Sequence, residues 1–160
     1  MIQYLLDKIF PKKEICNHVG DTYMHRWYVF KSKWFSVFIH KFVRSDFDRA
    51  LHDHPWPFIV IPIWRGYIEH YQPIVGGTRF NCQRVVYPIF GTRYRKATFR
   101  HRVELHTRFE DIALQYGGSV MIPFMQPAWS IFIHFKRRRS WGFWCPKGFE
   151  LHKDGVKPCE

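Results

Sequence analysis

The hydrophobic positions of this chain fall into short runs of aromatic and β-branched residues, with proline and glycine between the runs. Runs of this length between turn residues are typical of strands in an all-β protein. The clearest is Trp129–Lys136, where Trp129, Ile131, Ile133 and Phe135 occupy alternate positions. In chain order, the runs predict strands at Arg26–Lys31, Trp34–Phe42, Ala50–His54, Phe58–Trp64, Tyr67–Gln72, Thr78–Tyr87, Arg93–Phe99, His101–His106, Trp129–Lys136 and Ser140–Cys145.

The first ten residues have a different period. Ile2, Leu5, Leu6 and Ile9 recur at helical spacing, and Pro11 cannot continue a helix. This pattern predicts a short amphipathic helix over residues 2 to 10 that packs on the strands as a lid over the core.

Turn residues divide the rest of the chain. Lys31–Lys33 is short enough to close a hairpin, and Gly76-Gly77 predicts another. Pro55 and Pro57 mark a corner, because proline cannot donate to a sheet ladder. Residues 107 to 126 predict either a long loop or an inserted hairpin that turns at Gly117-Gly118.

Length and composition favour one domain over residues 1–160. The chain has 160 residues, of which 46% are hydrophobic and 19% aromatic, enough for one core of that size. We find no internal repeat, linker or low-complexity segment. A sandwich or small barrel is therefore the expected architecture, with helix as a minority element.

Nothing in the sequence predicts export or membrane insertion. Asp7 and Lys8 interrupt the apolar start, so it does not resemble a signal peptide, and no uncharged run is long enough to span a membrane. A cytoplasmic protein is expected. The four cysteines (Cys16, Cys82, Cys145 and Cys159) lie far apart without a CxxC pair, which favours reduced thiols over a disulfide framework.

The net charge of +12 is compatible with nucleic acid, an anionic membrane surface, a small anionic substrate, or a basic solvated surface without a partner. Lys136–Arg139 is the densest basic run. Alternate residues of a strand face opposite sides, so at most two of these cations share one surface. We therefore expect nucleic-acid binding to be weak and without sequence specificity.

His52 and His54 are the strongest candidates for metal chemistry. Two residues apart on a strand, they project from one face, while Asp53 points to the other. A third ligand must come from a neighbouring strand, and His101 is the best placed in the sequence. Three neutral imidazoles bind iron(II), zinc, manganese, nickel or copper. The alternative is a polar histidine pair on a solvated sheet face.

The histidines lie in an ordered series of short segments that together carry a resemblance. These segments are Tyr23–Trp27, Arg44–Asp46, Leu51–Trp56, Gly66–Glu69, His101–Val103 with Leu105, Pro127–Trp129 and Arg137–Trp144. The series resembles a group of RmlC-like cupin proteins found in bacteria and in bacteriophages. The resemblance covers about residues 23 to 149 and implies a cupin-type double-stranded β-helix barrel. It also implies that His52 and His54 come from the first cupin motif and His101 from the second.

One position departs from the general cupin pattern, which places a glutamate shortly after the second histidine. Phe58 occupies that position here. Glu69 is the nearest replacement, but it follows the Arg65-Gly66 turn and is expected to pair near Pro62, away from the histidines. A site with three histidines and no carboxylate resembles the thiol dioxygenases, which use iron(II). A degenerate cupin that has lost its metal is the alternative.

The functional prediction is a metal-binding cupin that acts as an iron(II) oxygenase on a small anionic substrate, with Zn, Mn or Ni as the alternative ions. Trp56, Phe58 and Trp144 are expected to line the pocket. Arg93 or Arg95 is expected to hold the anionic group. No residue is assigned as general acid or base.

Two other function classes stay open, because the cupin fold alone does not assign an activity. One is a non-catalytic module that binds a ligand or nucleic acid. The other is a metal-independent sugar isomerase or epimerase in which a histidine acts as the base. We expect no membrane partner, a possible homodimer, and location in the host cytoplasm if the chain is viral.

Overall fold

The computed structural model describes residues 2–17, 19–46, 50–72, 83–113, 115–145, 147–153 and 159. Within them, strands predominate and the helix is confined to the first residues. The elements are α1 (Ile2–Ile9), β1 (Lys12–Cys16), β2 (Thr22–Lys31), β3 (Phe35–Phe42), β4 (Leu51–His52), β5 (Phe58–Trp64), β6 (Tyr67–Gln72), β7 (Gln83–Tyr87), β8 (Arg93–Arg95), β9 (Arg100–Glu104), β10 (Thr107–Ala113), β11 (Ser119–Met125), β12 (Ala128–Phe135), β13 (Gly142–Cys145) and β14 (Gly148–Leu151).

Two six-stranded antiparallel sheets form the body of the protein, in the orders β1-β2-β3-β12-β5-β8 and β14-β13-β4-β9-β6-β7. Successive strands such as β5 and β6 belong to different sheets, so the chain crosses repeatedly from one sheet to the other. The all-β prediction is confirmed.

The core lies between the inner faces of the two sheets. On β3, buried and less buried residues alternate, and the buried set is Ser36, Phe38, His40 and Phe42. Alternate residues of a strand face opposite sides, so these four side chains share the inner face. The buried cluster takes Phe38, Phe42, Phe58, Val60 and Phe132 from the first sheet, and Tyr67, Tyr87 and Val103 from the second.

Helix α1 lies against the outer face of the first sheet. The indole nitrogen of Trp27, a fully buried residue, donates to Asp7 at 2.8 Å, and its ring stacks on Trp129 with centroids 5.3 Å apart. The predicted position of the helix is confirmed. Its packing differs from the prediction, because polar contacts hold the helix while three apolar side chains stay exposed (Ile2 64%, Leu5 50%, Ile9 65%).

The hairpin predictions have mixed outcomes. Lys31–Lys33 does connect the paired strands β2 and β3. Residues 107 to 126 contain the hairpin β10–β11, which turns at Gly117 and Gly118 with φ of +90° and +82°. Pro123 does not break this hairpin, since it lies within β11 opposite Phe109. The predicted Gly76-Gly77 turn lies outside the described residues, as does the start of the predicted strand Thr78–Tyr87.

Sequence analysis missed β1 and β14, two edge strands with little apolar alternation. It also misjudged the cysteines. Cys145 and Cys159 form a disulfide, so the prediction of reduced thiols is wrong for this pair, whereas Cys16 is free and exposed. The two cysteines are 14 residues apart in sequence, and the tertiary fold brings them together, so their spacing did not indicate a disulfide.

No helix in the described part of the chain has the length and apolar character to cross a bilayer.

Candidate metal centre

The pairing of β4 with β9 brings two of the predicted ligands together. His52 on β4 is the register partner of His101 on β9. His54 follows just after β4, where its backbone nitrogen donates to the carbonyl of Ala97 at 3.2 Å. One ring nitrogen from each of His52, His54 and His101 lies within 4.8 Å of the others.

Burial disfavours the charged form of two of these imidazoles, those of His52 and His54. Burial lowers the pKa of His52 to about 4 and holds the pKa of His54 well below its ordinary value. A neutral imidazole offers the lone pair that a metal ion needs. The Nε2 atoms of His54 and His101 are 2.7 Å apart and face each other. The donor set therefore fits a divalent transition metal.

Glu69 on β6 fixes the orientation of His101. Its carboxylate is fully buried, and Oε1 lies 2.7 Å from His101 Nδ1. Oε2 accepts from the Tyr87 hydroxyl at 2.5 Å and from Arg95 at 2.7 Å. Burial alone would raise the pKa of Glu69, but these hydrogen bonds outweigh it and lower the pKa to about 2.

The ionised Glu69 determines which ring nitrogen of His101 carries the proton. A carboxylate can only accept, so His101 Nδ1 must be the donor in their hydrogen bond. The ring nitrogen of His101 that is left for a metal ion is therefore Nε2, which lies 2.7 Å from His54 Nε2. Carboxylate partners of this kind commonly orient metal-bound histidines.

The expected place of Glu69 was wrong. Its strand does not pair with β5 near Pro62, because β5 and β6 are in different sheets. Glu69 instead lies opposite Val103, two residues from the pair Tyr71 and His101. Such diagonal neighbours share a sheet face within reach of long side chains. The signal that could have indicated a role for Glu69 is the presence of an acidic residue within β6, a strand that is mostly buried.

A second carboxylate lies beside His52. Asp46 Oδ2 is 3.8 Å from His52 Nδ1 and accepts from the backbone nitrogen of Val103 at 2.5 Å. Asp53 has a separate role, as expected from its opposite orientation. It is fully buried and accepts from Arg139, Gly142 and Trp144, which anchors β13 beside β4.

Aromatic rings cover the other side of the cluster. Phe58 is 1% exposed and meets His54 edge-on, with ring centroids 4.6 Å apart. It also stacks on Phe132 at 5.0 Å. Trp141 lies parallel to His54 with centroids 6.5 Å apart. The carboxylate position of the general cupin pattern is therefore occupied by a ring that excludes water.

The sequence matches no protein-family model, and comparison with curated proteins finds no match. Solved structures do match. Fe(II)-bound HppE aligns with a TM-score of 0.54 and 11% identity over 80% of this chain and 57% of its own. An RmlC-like cupin protein from Ralstonia eutropha JMP134 aligns with a TM-score of 0.50 and 11% identity over 90% of this chain and 75% of its own. The chain has the cupin fold.

The likeness concerns the fold, because the identities are low. The chain spans a little over half of the length of HppE, and of the hydroxypropylphosphonic acid epoxidase from S. wedmorenis it spans 56% (TM-score 0.50, 13% identity). The predicted link to cupins of bacteria and bacteriophages stays a prediction.

A cavity of about 560 Å³ opens onto the three histidines. Two of the five residues predicted for the pocket, Trp56 and Phe58, line it. The other three lie elsewhere. Arg95 is bound to Glu69, Arg93 is exposed, and Trp144 donates to Asp53 and stacks on Arg100.

The arginine that does line the cavity is Arg26, which sequence analysis did not single out. It shares the inner face of β2 with Met24 and Tyr28, whose partners on β3 are Phe42 and Phe38. The sequence signal that could have identified Arg26 is its spacing of two residues from Met24 and from Tyr28, which places the three on one face of β2. Which face of β2 points inward depends on the covering of Trp27 by α1, and the sequence does not show that contact.

Proposed function

We propose that this cupin is an iron(II) oxygenase that acts on a small anionic substrate, with His52, His54 and His101 as the metal ligands. The observation that carries the proposal is the convergence of three imidazoles in one cavity. Such sites also accept zinc, manganese or nickel. The fold neighbour whose structure is described as Fe(II) HppE favours iron among these ions.

When bound, the ion would supply Lewis-acid and redox chemistry. The chain's own residues would prepare the site. Glu69 holds the proton of His101 on Nδ1, and Phe58 keeps water from the side next to His54. Because the ligands are neutral, the ion would keep its full double charge, which favours an anionic or thiolate substrate.

Thiol dioxygenation is the specific reaction that the three-histidine set favours. A thiolate and one molecule of oxygen give a sulfinate, with both oxygen atoms transferred to sulfur. Sulfur supplies all four electrons, so the reaction needs no external reductant. The candidate substrate is thus a small thiol that carries a second anionic group.

Metal content is the first test. Wild-type protein purified without chelator should contain about one equivalent of transition metal by elemental analysis, as expected for one three-ligand site. His52→Ala, His54→Ala and His101→Ala should each reduce this to near zero while the fold is retained. His106→Ala is the matched control, since His106 lies outside the cluster. Stoichiometric metal in the triple alanine variant would refute the ligand assignment.

A metal-independent isomerase or epimerase is the second candidate, and the His101–Glu69 pair favours it. A histidine oriented by a buried carboxylate is a common general base. The two candidates differ in their metal requirement. Activity that survives complete removal of metal would support the isomerase and reject the oxygenase.

A binding module for nucleic acid is a weaker alternative. Lys136, Arg137 and Arg138 are exposed, but Arg139 is held by the buried Asp53 at 2.6 Å. The basic run thus offers three exposed cations rather than four. We expect any affinity for nucleic acid to disappear as salt increases, and sequence-specific binding at physiological salt would contradict this.

A further inference from the structure

We infer that Arg26 and His40 form an anion-binding subsite that holds the carboxylate of a small substrate whose other end reaches the three-histidine cluster. This inference rests on the proposed function for the role of the cluster. The subsite itself rests on the contacts of Arg26 and His40.

Arg26 and His40 are register partners on β2 and β3, and both line the cavity. Arg26 Nε donates to His40 Nε2 at 2.9 Å, and the guanidinium lies over the Phe38 ring at 5.0 Å. His40 is 2% exposed. The pair therefore occupies the inner wall of the cavity and not its rim.

The charge of Arg26 lacks a negative partner. Arg95 and Arg139, two other partly buried arginines, pair with Glu69 and Asp53 at 2.7 Å and 2.6 Å. Arg26 forms no ion pair with any carboxylate in the described residues. A partly buried charge without a carboxylate partner is costly, so this cavity wall is suited to an incoming anion.

His40 adds an unused donor to the same wall. Burial and the neighbouring charge of Arg26 hold the pKa of His40 well below its ordinary value, so the ring is neutral. Because Nε2 accepts from Arg26, the ring proton lies on Nδ1. Within the described part of the chain, this buried Nδ1 has no hydrogen-bond partner. A donor without a partner, beside a guanidinium that forms no ion pair with a described carboxylate, is a second, independent sign of an oxyanion site.

The subsite lies one aromatic ring away from the cluster. Phe132 stacks on His40 with centroids 4.9 Å apart, and its centroid is 6.3 Å from that of His54. A ligand with a short carbon chain can span such a ring. Its apolar part would pack on Phe132, its carboxylate would bind Arg26, and its other end would face the histidines.

The geometry thus narrows the substrate to a short molecule with an oxyanion at one end. Arginine presents parallel N–H groups that match a carboxylate or a phosphonate. Both ligands offer the same chemistry, so the experiment must include both. A neutral amide of the same length lacks the charge and serves as the control ligand.

The first experiment uses metal-free, full-length protein, titrated calorimetrically with butyrate, propylphosphonate and butyramide. Wild type should bind at least one of the two anions and bind butyramide far more weakly. Arg26→Met should weaken anion binding about 10- to 100-fold, the usual effect of losing a charge-assisted hydrogen bond. His40→Phe should weaken it less. Arg93→Met is the matched control and should bind as wild type, because Arg93 is exposed.

Thermal melting separates a binding role from a structural one. Without added anion, Arg26→Met should melt no lower than wild type, since it removes an unpaired charge. Butyrate should raise the melting temperature of wild type but not that of the variant. Arg26→Lys, which keeps the charge without the planar fork, should show an intermediate response. Wild-type anion affinity in Arg26→Met, or no anion binding in wild type, would overturn the inference.

The second experiment tests whether one ligand reaches both ends. Cobalt-loaded wild type, titrated with malonate, succinate and glutarate, should bind at least one of them more tightly than butyrate, with a change in the cobalt absorption bands. Arg26→Met should remove this advantage. Failure of the protein to bind metal would end the proposed function but leave the butyrate test intact. Metal binding with no effect of Arg26→Met would reject the anion subsite alone.

Discussion

The two sides of the three-histidine cluster are built from opposite kinds of side chain. Behind His101 lies a buried polar network, whose members are Glu69, Tyr87 and Arg95. Beside His54 lies an aromatic wall, whose members are Phe58, Phe132 and Trp141. The polar side fixes the ring orientation of His101 and the nitrogen that carries its proton. The aromatic side sets the shape of the cavity and excludes water from it.

The two sides also differ in how they respond to change. Each member of the polar network forms a hydrogen bond with another member. Removal of one therefore leaves a buried charge or donor without a partner. The aromatic wall depends on packing, so the loss of one ring costs contacts but leaves no unpaired polar group. The predictions below test this difference.

The largest effect is expected at the centre of the polar network. Glu69→Ala should cost about 3–5 kcal/mol of unfolding free energy, because the charge of Arg95 and the His101 Nδ1 proton lose their acceptor. Metal affinity should fall about 10- to 100-fold. Urea unfolding and metal titration measure the two effects.

Glu104→Ala is the matched control. Glu104 forms the same kind of pair with His70 at 2.7 Å, but its side chain is 36% exposed. Exposed pairs of this kind contribute about 0.2–1 kcal/mol. Equal losses in the two variants would show that burial is not what distinguishes the Glu69 network.

Phe58→Glu places a carboxylate in the aromatic wall, at the position where the general cupin pattern has one. In the metal-free protein, we expect a loss of about 3 kcal/mol, since a packed ring is lost and an acid is buried among apolar groups. With metal, the carboxylate should act as a fourth ligand, increase metal affinity and weaken the binding of small thiols at the ion.

Phe58→Gln separates size from charge, because it resembles the glutamate in shape. This variant should lose stability without the increase in metal affinity. Metal titration followed by thiol titration compares the variants. If Phe58→Glu binds metal no more tightly than Phe58→Gln, the aromatic position is not next to the ion.

Acid should affect the histidines before it affects the polar network. The pKa of His52 is lowered from 6.5 to about 4, so the unfolded chain takes up this proton first as the pH falls. Stability from this group is full above pH 6.5 and is lost as the pH falls toward 4, by about 3 kcal/mol. The pKa of Glu69 is lowered from 4.5 to about 2, so its contribution persists through that window and is lost below it.

Urea unfolding of the metal-free protein across both pH windows measures this order. His52→Gln should show a shallower loss of stability between pH 6.5 and 4 and an unchanged loss below it. Identical profiles for wild type and variant would contradict the assignment of the first window to His52.

The smallest effect on the site is expected from the hairpin β10–β11. This hairpin forms a separate two-stranded sheet with exposed apolar side chains, among them Phe109 (59%), Met121 (58%) and Tyr116 (96%). Joining His106 to Gln126 through a short turn is feasible, since their backbones already bond at 2.8 Å. Metal content should not change in this shortened variant.

The shortened variant also tests the predicted homodimer. An isolated two-stranded sheet is marginally stable, and apolar patches on a surface commonly mark contacts between chains. We therefore expect the full chain to sediment as a dimer and the shortened chain as a monomer. A full chain that sediments as a monomer would reject the homodimer.

Several elements were predictable from local pattern. The alternation of apolar residues placed β3, β5 and β12 within one or two residues, because a strand has a side-chain period of two. The same period placed His52 and His54 on one face and Asp53 on the other. Helix α1 was predictable from its spacing and from Pro11.

The rest of the site was decided by contacts between distant strands. His101 is 49 positions after His52, and only the pairing of β4 with β9 makes them neighbours. Glu69 reaches His101 because β6 joins the second sheet, whereas proximity along the chain suggested β5. Arg26 faces the cavity because Trp27, its neighbour on β2, is buried under α1.

The sequence by itself therefore determined the central strands β3, β5 and β12, the shared face of His52 and His54, and the replacement of a carboxylate by Phe58. Only the tertiary structure decided which carboxylate orients His101 and which arginine enters the cavity. The physical reason is that side-chain direction along a strand follows from local backbone geometry. The choice of neighbouring strand depends instead on how the whole chain buries its apolar surface, a property of residues far apart in sequence.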